Sequence, residues 1–184
     1  MRLVVAVTGA SGSIYCRQLV KLLEKQIEVT EIALVFSKNG RDVMEFEEGV
    51  DWIEGCSKVK IYENDNYFTP IASGSTFYDA MVVVPSSVGT MSRIANGISN
   101  SLIERSADVM LKERRKLIIV LRETPMSLIH IKNMEILTLS GAIILPAAVS
   151  YYSKPKTIEE LAMSVTSRIM MQLGFQISKG WEEN

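Results

Sequence analysis

The chain reads as an α/β protein, a three-layer α/β/α domain built on a parallel sheet. Short Val/Ile/Leu runs alternate with stretches of helical spacing along the whole chain. Those runs are apolar on both faces, as strands covered from both sides must be. They end in glycine, serine, proline or charge, the turn chemistry that joins strands to helices.

Residues 2–8 form the first strand. Residues 13–25 form a helix, with Ile14, Leu19, Leu22 and Leu23 near helical spacing. A second strand (31–36), a short helix (39–47) and a helical turn or two (51–57) follow. Residues 58–79, rich in Asn, Asp, Pro and Gly, read as mixed and loop-rich. Residues 80–84 are a buried strand ended by Pro85, and 90–96 and 101–113 are helices. A strand at 117–121, a helix at 127–139 and a strand at 142–145 ended by Pro146 complete the sheet. A long helix spans 157–173, and its Thr157-Ile158-Glu159-Glu160 start has the form of a capping box. No linker, repeat or low-complexity tract interrupts the chain, so 1–184 reads as one domain with an extended C-terminal helix and tail.

Composition narrows the function. With 184 residues and a net charge of −1, the chain has no general attraction to nucleic acid or an anionic membrane. No apolar run approaches the roughly 20 residues that span a bilayer. The first strand leads into a glycine turn, not a cleavage site, so no signal peptide is expected. Cys16 and Cys56 make no zinc spacing and fit a reducing cytoplasm. The one histidine, His130, excludes most zinc sites, leaves little room for a Ser-His-Asp triad and reads as structural.

The most informative stretch is Arg122-Glu123-Thr124-Pro125, straight after Leu117-Ile118-Ile119-Val120-Leu121. In an open parallel sheet the carboxyl ends of the strands form the rim where ligands bind. A cation and a carboxylate there point to anion binding and proton transfer, against the plainer reading of a surface ion pair. Other strands deliver polar groups to the same rim. The first runs into Thr8-Gly9-Ala10-Ser11-Gly12-Ser13, where glycines admit a phosphate and a helix N-terminus offers N–H groups, or where glycine only makes the corner. No Walker lysine follows. The second ends in Phe36-Ser37-Lys38, with Ser37 a ligand contact or a helix cap. The strand at 80–84 runs into Pro85-Ser86-Ser87-Val88-Gly89-Thr90. Four such loops describe a site for a nucleotide with a phosphate and a hydrogen-bonding ring system. Lys112-Glu113-Arg114-Arg115-Lys116 reads mostly as a solvated helix C-terminus, with Lys112 the exception. Arg168, among Met163, Val165, Ile169 and Met170, either snorkels or aims at a phosphate.

These residues resemble the flavin prenyltransferase family over nearly the whole chain. The resemblance rests on Thr8 to Tyr15, Phe36-Ser37-Lys38, Ser73-Gly74-Ser75, the 85–90 loop, the block from Arg105 to Arg115, Arg122-Glu123-Thr124-Pro125 and Tyr152-Ser153-Lys154-Pro155. It implies a flavodoxin-like (Rossmann-like) fold assembled as a dodecamer built from trimers. It implies binding of reduced FMN and dimethylallyl phosphate, and transfer of the prenyl group to flavin N5 and C6, closing a fourth ring. The product, prenylated FMN, would serve a partner decarboxylase of the ubiquinone-pathway or aromatic-acid type, and no metal is required.

By the same resemblance, Gly9, Ala10 and Ser11 hold the FMN phosphate region, and Ser37 contacts the flavin. Ser87, Val88, Gly89 and Thr90 make the second FMN loop. Arg122 binds FMN and Glu123 is the acid–base residue. Lys112, Tyr152 and Arg168 hold the prenyl phosphate, in an oligomer from neighbouring subunits. Trp181 resembles a tail tryptophan of the family. Two positions depart from the family pattern: Gly89, where a lysine is frequent, and Ser127, where a histidine is frequent. The alternatives are an FMN-dependent cysteine decarboxylase, whose early histidine base is missing here, and a non-catalytic flavin carrier.

Overall fold

Leu3, Val5 and Val7 point to one side of the first strand, Val4 and Ala6 to the other. This two-residue period recurs in the neighbouring strands and produces two cores, one on each face of the sheet. In the computed structural model, which describes residues 1–176, the sheet has six parallel strands. They are β1 (Arg2–Val7), β2 (Glu31–Phe36), β3 (Val59–Glu63), β4 (Ala80–Ser86), β5 (Lys116–Leu121) and β6 (Ile143–Pro146), in the order β3-β2-β1-β4-β5-β6. Helices α1 (Ser13–Lys25), α2 (Lys38–Glu47) and α6 (Ile158–Leu173) build the first core. Helices α3 (Val88–Ala95), α4 (Leu102–Lys112) and α5 (Leu128–Leu139) build the second. The three-layer α/β/α expectation holds. Strand order reverses direction between β1 and β4, and a doubly wound sheet opens its ligand crevice at that point.

Four local readings need correction. Residues 58–79 are not all loop: Val59–Glu63 is an edge strand paired with β2. Its alternation is weak because only one neighbour covers it, leaving Lys60, Ile61 and Glu63 exposed. Pro85 does not end β4, which runs on to Ser86 through a register shift after Val83. Proline is tolerated at such an irregularity, where no ladder N–H is needed. Pro146 likewise belongs to β6, an edge strand. At Thr157 half of the capping box forms: Thr157 accepts from the Glu160 amide, but Glu160 turns to the Lys156 amide at 2.6 Å. A complete box forms at Ser127 instead, where Ser127 Oγ accepts from the His130 amide and His130 Nδ1 accepts from the Ser127 amide. His130 is therefore structural, as expected.

At the opposite end of the sheet from the rim, Glu31 ties three strands together. It accepts from Tyr78 Oη, from Arg2 at 3.1 Å and from Lys60 at 2.8 Å. Helix α5 buries only Asn133 and Leu137, while Leu128, Ile129, Ile131, Ile136 and Leu139 stay exposed. Among the described residues no helix is long and apolar enough to cross a membrane.

Candidate functional site

The crevice at the β1/β4 reversal is held by one buried hydroxyl. Thr8 Oγ1 donates to the Pro85 carbonyl at 3.0 Å and accepts from the Ser87 amide at 2.7 Å, while the Thr8 amide also reaches Pro85 O at 3.2 Å. The Arg122 amide donates to the Ser86 carbonyl at 3.1 Å, so the end of β5 joins the same structure. The turn after β1, the loop after β4 and the Arg122-Glu123 pair are thereby fixed against one another. The Arg122 side chain is exposed on this rim. Tyr15 senses it: burial pushes the Tyr15 phenol up, the Arg122 cation pulls it back, and Glu47 adds to the rise.

The sequence offered the α1 N-terminus to a phosphate, and the structure places a carboxylate there. Glu47, the last residue of α2, accepts from the Gly12 amide at 3.0 Å and the Ser13 amide at 2.8 Å. Burial raises its pKa, but the Ser11 hydroxyl and these two amides outweigh burial and hold it below the ordinary 4.5. Two amides at the start of α1, those of Gly12 and Ser13, are thus taken by the protein itself. No local pattern marks Glu47 in the sequence, because its partners lie 34 and 35 residues away.

The second loop suits an anion or a flavin better. Ser87 caps α3, accepting from the Thr90 amide at 3.3 Å, and the first amides of the helix, at Val88 and Gly89, have no partner within the helix. Gly89 is exposed and adds no side chain over them. Ser37 also proves to be a cap, accepting from the Gly40 amide at 3.0 Å. A Cβ on Gly40 would stand 2.3 Å from the Val7 carbonyl oxygen, so glycine lets α2 start against the end of β1. Ser37 nevertheless lines a hollow of about 410 Å³ with Phe36, Lys38, Arg41 and Asn100. Gly9 and Ser11 are exposed on the neighbouring turn, and Ala10 is buried under it.

Glu123 is half-buried and accepts from the Thr124 amide at 2.9 Å. With Arg122, Met126 and Pro146 to Ala148 it lines a hollow of about 230 Å³. A second hollow of about 280 Å³, lined by Arg168, Val165 and β6, shares Pro146 and Ala148 with the first. The hollows lined by Arg168 and by Arg122 and Glu123 therefore adjoin at the end of β6. Arg168 is exposed, not turned into the core as the flanking Val165 and Ile169 are. Tyr152 is 80% exposed in the loop between β6 and α6.

Lys112 is not brought to this rim. It ends α4, immediately before β5 begins, so it lies at the far end of the sheet. The six residues of β5 separate it from Arg122, roughly 20 Å at ~3.3 Å per residue. There it pairs with Glu113 at 2.8 Å. Ser73-Gly74-Ser75 packs on the same pair, since a Cβ on Gly74 would stand 3.0 Å from Lys112 Nζ. Trp181 lies outside the described residues.

The Flavoprotein family model matches residues 1–171. The flavin prenyltransferase UbiX of Methanocaldococcus jannaschii is 43% identical, covering 98% of each chain. The chain belongs to the flavin prenyltransferase family. Among solved structures, a dodecameric FMN-dependent UbiX-like decarboxylase from Escherichia coli O157:H7 superposes with a TM-score of 0.93 at 32% identity, covering 98% of this chain and 99% of that one. AnUbiX (PadA1), solved in complex with FMN and dimethylallyl pyrophosphate, has a TM-score of 0.89 at 35% identity over 98% of each chain. The flavin prenyltransferase fold thus covers the rim, the edge strand β3 and α6 alike.

Proposed function

We propose that this family member transfers the dimethylallyl group of dimethylallyl phosphate to N5 and C6 of reduced FMN. The observation that carries the reading is the Arg122-Glu123 pair, fixed by the Arg122–Ser86 bond beside the Thr8-tied crevice. The residues fit a flavin: open amides at Val88 and Gly89, exposed Gly9 and Ser11, and a cation at Arg122. Ser37 would contact the flavin from the adjoining hollow.

Reduced flavin supplies the nucleophilic N5 and the ring carbon C6. Arg122 anchors its anionic portion. Arg168, with the Tyr152 hydroxyl, would take up the charge that develops on phosphate as its bond to the prenyl carbon breaks, and the departing phosphate would accept the proton that N5 gives up on bonding to that carbon; such preorganised donors stabilise a leaving group by several kcal/mol. Glu123 then delivers a proton to the prenyl double bond, so that the second carbon can bond to C6. As the carboxylate it takes back the ring proton released there, and its protonation state is restored.

Lys112 can serve this reaction only from another copy of the chain. The exposed apolar face of α5 supports assembly, since monomers rarely leave such a patch uncovered. We read the working form as a dodecamer built from trimers, acting in the cytoplasm and passing prenylated FMN to a decarboxylase. Incubation with reduced FMN and dimethylallyl phosphate without oxygen, followed by mass spectrometry of the flavin, tests the reaction. A gain of one five-carbon unit is expected. Unchanged flavin would overturn it, and decarboxylation of a cysteine peptide would support the cysteine decarboxylase instead.

A further inference from the structure

Arg93 lies in the last turn of α3, and its side chain runs back toward the start of that helix, the direction helical side chains lean. Its guanidinium is held at two points. Nε pairs with Glu104, which is 3% exposed and also accepts from the Asn100 amide at 2.7 Å. Nη2 donates to Thr90 Oγ1 at 3.2 Å. Thr90 Oγ1 is buried and accepts a second hydrogen bond, from Ser87 Oγ, also at 3.2 Å.

A hydroxyl oxygen has two lone pairs and one proton. Both Thr90 lone pairs are spoken for, one by Arg93 and one by Ser87. The Ser87 proton is committed inward to Thr90, and one Ser87 lone pair receives the Thr90 amide at 3.3 Å. What Ser87 Oγ has left for the rim is a lone pair. Arginine donates and never accepts, so it allows Thr90 Oγ1 no role toward it except acceptor. Gly89 keeps this arrangement open: a Cβ there would rest 3.4 Å from Arg93 Nη1, and a longer side chain would lie over the guanidinium.

We propose that Arg93, braced by Glu104, is a positioning residue for the second flavin loop. Acting through Thr90, it sets the Ser87 hydroxyl to face the ligand as an acceptor. The flavin group at Ser87 is then a donor, a ring N–H or a ribityl hydroxyl, and the phosphate lies against the Val88 and Gly89 amides instead. This rests on the flavin reading above.

A double-mutant cycle on flavin affinity tests the proposal. FMN is titrated into the full-length protein and followed by quenching of flavin fluorescence, with thermal melts confirming that each variant is folded. Arg93→Met and Thr90→Val should each weaken binding about tenfold, the scale of one lost hydrogen bond in a site. The double variant should be no weaker than either, because both break one chain of contacts. Arg93→Lys keeps a cation for Glu104 but lacks the fork that also reaches Thr90, so it should bind as poorly as Arg93→Met while melting closer to the native protein. Native affinity in Arg93→Met, full rescue by lysine, or additive losses in the double variant would each overturn the proposal. If the native protein binds no FMN, the flavin reading itself falls, an outcome distinct from these.

Discussion

The Thr8 hydroxyl accepts the Ser87 amide at 2.7 Å, joining two loops 79 residues apart in sequence. Thr8 is 1% exposed, so this contact is structure and not surface decoration. Replacing Thr8 with Val keeps the shape and strands the Ser87 N–H. We expect a loss of about 2 kcal/mol in denaturant unfolding, the cost of an unpaired buried donor, together with weaker flavin binding. Thr8→Ser, which retains the hydroxyl, should recover most of both. A native unfolding midpoint in Thr8→Val would show that the tie is unimportant.

Glu123→Gln should bind FMN normally and lose product formation by roughly 100-fold or more, the range of general acid–base catalysis. The amide keeps the side chain's size but cannot exchange the proton. Flavin mass analysis over a time course measures this. Full turnover would remove the acid–base role from Glu123.

Arg122→Ala acts on binding. Its guanidinium stands exposed on the rim while its amide is fixed to Ser86. Loss of a charged hydrogen bond to an anion should weaken FMN affinity roughly 10- to 100-fold, with little change in melting temperature. Equal affinity by titration would count against it.

Glu47→Gln tests the brace under the first turn. The carboxylate that accepts from Gly12 and Ser13 is held below its ordinary 4.5. Its stabilising effect is therefore complete above that value and fades as pH falls below it. We expect Glu47→Gln to bind flavin several-fold more weakly at pH 7, and its melting temperature to converge on the native one in acid. A constant gap across pH would mean that charge is not what the turn needs.

The cluster at the other end of the sheet has a sharper pH signature. Burial would raise the Glu31 pKa, but Lys60, Tyr78 and Arg2 outweigh it and hold the carboxyl down to about 2. An unfolded glutamate titrates near 4.5, so the stability it contributes is full above that pH and is lost as pH falls toward about 2. Glu31→Gln should cost about 2 kcal/mol at pH 7, less than a fully buried broken pair because Arg2 and Lys60 can hydrate. Paired melts at pH 7 and pH 3 should show the gap shrinking. A gap that widens in acid would contradict the assignment.

Much was legible in the sequence because it depends on near neighbours. Both-face apolar runs announced buried parallel strands, and β2 and α1 lie where periodicity put them. The Arg122-Glu123 pair was visible because a buried strand gains no stability by ending in charge, so charge there points to a ligand. Edge strand β3 was hidden because one-sided pairing leaves half its residues polar. Tertiary structure alone decided the rest. It gave the Gly12 and Ser13 amides to Glu47, joined Thr8 to Ser87, linked the Arg168 hollow to that of Glu123, and set Lys112 at the far end of β5. Each of these rests on contacts between residues distant in sequence, where pattern is silent and only the winding of the chain decides which groups meet.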